Sequence, residues 1–194
     1  MTEFQFELKP FFRKTEHGRQ GVVGAFGEVT VEAERKKRSI RTASRQLEVR
    51  LHGEQMPEVV YRTVGPGRPT LKNAVLAVDG HSVQLEFNSK AIRNTSRALK
   101  LSYQERLYEY IVTGFDKGAA LRRPGVLISL TRGKNTAGKG MSTFGTVSGE
   151  ADAVDLALAV IFEEVDTQEL TTSGAASEAV NRLLNPRANE TPAD

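Results

Sequence analysis

Between Leu156 and Phe162 the chain runs seven residues, LALAVIF, without a polar atom in any side chain. At about 100° per residue, seven residues cover the whole circumference of a helix. A helix that is apolar all round has to be buried all round. At ~25 cal/mol per Å² that burial is worth on the order of 10 kcal/mol before entropy is counted. A central strand is the rival reading, because a short apolar run has the same periodicity in either state. The composition points to a helix: Ala153, Leu156, Ala157, Leu158 and Ala159 are good helix formers. Asp152 is placed as an N-cap, and Asp155 stands three residues on, where a capping-box acid belongs. Both carboxylates also suit the positive end of a helix dipole. The run closes at Glu163 and Glu164, so the sequence predicts a core helix over about residues 153–165. Three surroundings would bury it: a closed sheet with the helix inside, an open curved sheet over it, or a protein–protein interface.

The first 149 residues read as strands. Period-2 alternation recurs, with turn residues between the runs. FQFEL sets Phe4, Phe6 and Leu8 on one face, EVTVEAE sets Val29, Val31 and Ala33, and QLEVRLHG sets Leu47, Val49 and Leu51. VLAVDGHSVQLEF is a hairpin: Leu76 and Val78, a turn at Asp79-Gly80, then Val83, Leu85 and Phe87. ALKLSYQERLYEYIV is a second, turning near Gln104–Arg106, and GVLISLTRG and MSTFGTVSG add two strands around a Gly-rich connection. Turns every ~8–12 residues fit an antiparallel sandwich or barrel better than βαβ units. The fold class expected is mainly β, an antiparallel barrel-like domain over residues 1–170 with a buried hydrophobic C-terminal helix. Residues 34–46 read as a loop or strand edge and 88–97 as a loop or a turn of helix. Beyond residue 170, Ala175–Leu184 reads as a short helix stopped by Asn185-Pro186, and RANETPAD as a disordered tail.

The segment MSTFGTVSGEADAVDLALAVIFEEV, with GVLISLTRGK ahead of it, resembles the end of the tubby C-terminal-like superfamily. That group includes tubby domains, phospholipid-scramblase-like proteins and LURP-one-related proteins. The resemblance is one of layout and covers about residues 20–165. It implies a last strand pair followed by an aspartate-led hydrophobic helix that threads a roughly twelve-stranded barrel. It also implies binding to phosphoinositides or other membrane-surface anions. The chain departs from the scramblase pattern in having no Cys-rich stretch and no C-terminal membrane segment. No motif aligns the family's lipid-binding residues with positions in this chain.

Composition bears on chemistry chiefly by exclusion. With no cysteine there is no disulfide, cysteine nucleophile or thiolate metal site, which fits a cytoplasmic setting. MTEFQFELKPFF has neither the basic nor the apolar region of a signal peptide, and no run approaches the ~18 apolar residues of a membrane span. The net charge of +3 conceals an asymmetry: residues 1–149 hold 25 Lys and Arg against 14 Asp and Glu, and residues 150–194 hold 2 against 10. A basic body of this kind can attract polyanions.

Several motifs resemble catalytic ones and fail on inspection. GVVGAFGEVTV has Gly24, Gly27 and Val29 of a kinase glycine loop, but Val22 stands at the first glycine and no H-R-D or D-F-G follows. A glycine-containing turn is the plainer account. GKNTAGKG lacks the Ser/Thr of a phosphate loop and precedes a strand-like segment, so it reads as a basic hairpin loop with Arg132, Lys134 and Lys139. His17, His52 and His81 are far apart without acidic partners at ligand spacing. Glu163, Glu164 and Asp166 read as solvation of a helix end. The densest charge run is ERKKRSIRTASR, with Arg35, Lys36, Lys37, Arg38, Arg41 and Arg45. It suits anionic lipid headgroups, at ~1 kcal/mol per basic residue. Nucleic acid is the weaker fit, since no aromatic interleaves the run to stack on bases.

The sequence therefore leads to a non-enzymatic binding module for an anionic partner, peripheral at a membrane, with no cofactor. A protein–protein interaction or scaffold role is the alternative. The nine basic residues named above are the candidate anion-binding set.

Overall fold

Alternating burial along each segment turns the predicted strands into a closed wall. The computed structural model describes residues 3–34, 45–65, 68–87, 97–114, 118–133 and 140–171. They form β1 (Glu3–Phe12), β2 (Glu16–Val22), β3 (Glu28–Glu34), β4 (Arg45–Gly53), β5 (Met56–Gly65) and β6 (Val75–Val78). The chain continues through β7 (His81–Glu86), β8 (Leu99–Tyr103), β9 (Arg106–Gly114), β10 (Gly118–Arg123), β11 (Val126–Arg132) and β12 (Thr143–Gly149). Each strand pairs antiparallel with the next, and β1 also pairs with β12, so the sheet closes as a twelve-stranded up-and-down barrel. Closure removes every sheet edge, which an open antiparallel sheet would leave unpaired.

The inner face is the apolar one read from the alternation. Phe6, Leu8, Val29, Val31, Ala33, Val49 and Leu51 are all buried, as are Leu76, Val78 and Val83 of the first predicted hairpin. Phe4, Leu47, Leu85 and Phe87, assigned to the same faces, are only half-buried. The segment once comparable to a kinase loop is a connection: β2 ends at Val22, a 3-10 turn spans Gly24–Phe26, and Gly27 adopts φ 75° before β3. On β12, Gly145 lies opposite Phe6, and a Cβ there would sit 2.1 Å from the ring. The missing side chain is what admits Phe6 to the interior.

A barrel of about eight strands is just wide enough for side chains to fill it, and twelve strands enclose more space than that. A helix ~10–12 Å across is a filler of the right size. Helix α1 (Ala153–Val160) and the 3-10 turn Ile161–Glu164 occupy the interior, with residues 155–163 at most 5% exposed. The closed-sheet surrounding is the one adopted, and the strand reading of LALAVIF is excluded. Phe162 packs on Tyr110 at 4.7 Å between ring centroids and edge-on to Tyr61 at 5.9 Å. The predicted helix of 153–165 is thus α-helical only to Val160. The Ile161 N–H still bonds to the Ala157 carbonyl four residues back, and beyond it the turn tightens, with the Val165 N–H bonded to the Phe162 carbonyl at 3.1 Å. The predicted helix over 175–184, the tail, most of 34–46 and 88–96 lie outside the described residues. Arg97 is described: it is buried and donates to the Glu169 carbonyl at 3.0 Å.

Because consecutive strands run in opposite directions, their connections fall alternately at the two ends of the barrel. The helix starts at one end, reached from β12, and runs toward the other.

Candidate functional site

At the end where the helix starts, the connections are residues 23–27, 54–55, 79–80, 104–105, 124–125 and 150–152. They contain no Lys or Arg and five acids: Glu54, Asp79, Glu105, Glu150 and Asp152. This capped end is closed by a clasp around the helix N-terminus. The Asp152 carboxylate accepts the Asp155 N–H at 3.0 Å, and the Asp155 carboxylate accepts the Asp152 N–H at 2.9 Å, the predicted capping box. Asp155 is fully buried and is held by Arg123 through two bonds, 2.8 and 2.6 Å. Such a two-pronged guanidinium–carboxylate pair fixes geometry as well as charge. Arg106 pairs with Asp152. Partial burial pushes the Asp152 carboxyl up, but Arg106, the Asp155 N–H and the Arg123 charge together hold it below its ordinary range.

The opposite end differs in the charge of its connections. Its connections are residues 13–15, 35–44, 66–74, 87–98, 115–117 and 133–142. In that order they carry two, five, two, three, one and two Lys or Arg, fifteen in all, against the single acid Asp116. The chain leaving the helix adds Glu163, Glu164, Asp166 and Glu169 at this basic end. Among the described cations, Arg13 pairs with Glu16 and Lys72 with Glu169. Of the predicted set, Arg35, Lys36, Lys37, Arg38 and Arg41 belong to the β3–β4 connection, and Lys134 and Lys139 to β11–β12. These seven lie outside the described residues, as does the side chain of Arg45, which opens β4. The topology therefore joins both predicted basic segments to one end. Arg132 is the exception: it is the last residue of β11, not a loop residue, and shares the inward parity of Ile128 and Leu130.

Inside the mouth of the basic end lies a cavity of about 500 Å³, lined in part by His17, Arg19, Arg68, Arg132, Glu163 and Glu164. Glu163 is not solvated, as its place at a helix end suggested, but buried. Its carboxylate accepts from the Thr143 hydroxyl at 2.5 Å and sits 3.6 Å from both Arg19 Nε and Arg132. Glu164 lies 3.2 Å from Arg19 Nε and 3.7 Å from His17 Nε2. Burial pushes the Glu164 carboxyl above its ordinary range; Arg19 offsets this in part and the Glu163 charge adds to it. Arg19 itself is buried and donates to the Met141 carbonyl at 2.5 Å. The signal for this cluster was in β2: in EHGRQGV, the residues facing inward between Val29 and Ala33 of β3 are Gly21, Arg19 and His17. Inward cations call for acids at the same depth, and among the described residues the helix end supplies them. Three arginines face Glu163, Glu164 and Asp166 around this cavity, so its fixed charges balance. The excess positive charge of this end is on the connections.

Among the described residues no helix is long and apolar enough to cross a membrane, and no group of three His, Asp or Glu is placed to hold a metal ion. No family model, curated protein or solved structure matches the chain.

Proposed function

We propose that the protein is a non-enzymatic binding module that docks the basic end of its barrel onto an anionic membrane surface. The observation that carries this is the separation of charge along the barrel axis: the strand-to-strand connections carry fifteen cations to one acid at one end and no cation to three acids at the other, the helix exit adding four acids to the former and the helix entry two to the latter. A surface of one sign orients an approaching protein and raises its encounter rate with the opposite sign. Near an anionic leaflet each basic residue contributes ~1 kcal/mol, and the contribution falls off within a Debye length. Arg35, Lys36, Lys37, Arg38, Arg41 and Arg45, with Lys134 and Lys139, are the anion-binding residues of this reading. Arg132 is assigned instead to the internal cluster with Glu163. The tubby-like layout of the last strand pair and helix favours the same class of ligand.

Flotation with vesicles of phosphatidylserine and phosphatidylcholine tests the reading. Binding is expected at low salt, reduced at high salt and absent on phosphatidylcholine alone. No binding to anionic vesicles at low salt overturns it.

A further inference from the structure

The β1–β2 hairpin turns at the basic end of the barrel. β1 pairs with β12 only as far as Leu8 opposite Thr143, and Lys9–Phe12 continue against Gln20–His17 of β2. The tip lies between β3, which stays paired with β2 as far as Glu34 opposite Glu16, and Gly140, which lies against Pro10 and Phe12; it is closed by the Arg13 N–H bonded to the Glu16 carbonyl at 2.8 Å. Its sequence is KPFFRKT. Phe12 is 59% exposed beside the mouth of the cavity, and Phe11 is half-buried with the Arg13 guanidinium 4.8 Å above its ring. Lys9, Arg13 and Lys14 around them are exposed. Single exposed apolar residues are common and need no account. Here the position is the informative part. Among the large exposed hydrophobics of the described residues only Phe12 and Phe144 are aromatic. Both belong to the basic half of the barrel, Phe144 being the second residue of β12.

We propose that this hairpin tip is a membrane-inserting element, with Phe12 entering the boundary between headgroups and acyl chains while Lys9, Arg13 and Lys14 stay at the phosphates. Aromatic rings favour that boundary, and basic side chains next to them keep their charges in the polar layer. The inference rests on the docking reading above and adds to it a contact that salt does not screen.

The chain has no tryptophan, so Phe12→Trp introduces a single fluorescent reporter. Added vesicles of phosphatidylserine and phosphatidylcholine shift its emission to the blue, and brominated acyl chains quench it. Leu107→Trp, at an exposed position on the capped end, shows neither change. Phe12→Ser weakens partitioning about tenfold, since burying a Phe side chain is worth ~1.5–3 kcal/mol and each 1.4 kcal/mol is tenfold. Its thermal unfolding stays that of the parent. If the protein floats with anionic vesicles while the introduced tryptophan keeps its aqueous spectrum and Phe12→Ser binds as the parent does, insertion is wrong and docking stands. If nothing floats, docking falls and insertion falls with it.

Discussion

The two ends of the barrel solve opposite problems with similar residues. At the capped end, Arg106 and Arg123 meet Asp152 and Asp155, and the intervening turns carry acids alone. At the basic end, Arg19 and Arg132 meet Glu163 and Glu164 inside the mouth, while the connections above them carry a large excess of cations. The internal pairs at each end fix the helix in the barrel. They neutralise one another, so they say little about a ligand. Only the uncompensated charge of the connections does, and an up-and-down topology decides which connections share an end.

The comparison depends first on the helix being the core that both ends close over. Leu158→Glu places a charge at a fully buried site with no partner, and several kcal/mol of penalty should leave the protein unfolded or insoluble. A folded, soluble variant by circular dichroism and light scattering would falsify the threaded arrangement. Next in size is the functional contrast. Neutralising Arg35, Lys36, Lys37 and Arg38 to Gln should lower affinity for anionic vesicles about a thousandfold, at ~1 kcal/mol for each basic residue lost. Glu105→Lys with Glu150→Lys, at the capped end, should leave it unchanged. Equal effects at both ends would remove the axial polarity from the explanation.

The internal pairs should differ too. Arg123→Ala leaves the fully buried Asp155 carboxylate without its two-pronged partner, at a cost of about 3 kcal/mol in urea unfolding. Arg132→Ala leaves Glu163 with Thr143 and Arg19 and should cost about 1 kcal/mol. The smallest effect is in acid. The Asp152 carboxyl is held below its ordinary value of 3.8, so its contribution is present above that pH and lost as the pH falls through the folded value. The Glu164 carboxyl is raised above 4.5, so its contribution is full below that pH and lost as the pH rises through the folded value. Melting curves between pH 3 and pH 8 should show Asp152→Asn converging on the parent as the pH falls. Glu164→Gln should instead fall behind it.

Much of this architecture was legible in the chain. The alternation in EVTVEAE and VLAVDGHSVQLEF gave faces directly, because a strand's period is two and one face had to be dry. The all-round apolar run implied burial on every side, and left a closed sheet, an open curved sheet or an interface to supply it. The capping box could be read from Asp152 and Asp155 because its partners are three residues apart. The cluster at the basic mouth could not be read in this way. Arg19 meets Glu163 across most of the chain, and the inward parity of Arg19 in EHGRQGV shows only once β2 is set in register against β3. Arg123, which lies beside a Pro-Gly turn, looks like any surface cation until the helix start is placed next to it. The charge polarity of the ends is hidden for a different reason: it appears only when alternate connections are grouped, and grouping them requires the strand order.

The filler of the barrel is also the last part of it to be made. The wall closes where β1 meets β12, and the residues that occupy its interior follow β12 in the chain. During synthesis, eleven strands' worth of inward-facing apolar side chains must wait for both the closing strand and the helix. Contacts this distant in sequence carry the loop-closure cost that makes such topologies slow to fold. The chain must therefore stay unaggregated, or be kept so by a chaperone, until Phe162 has left the ribosome.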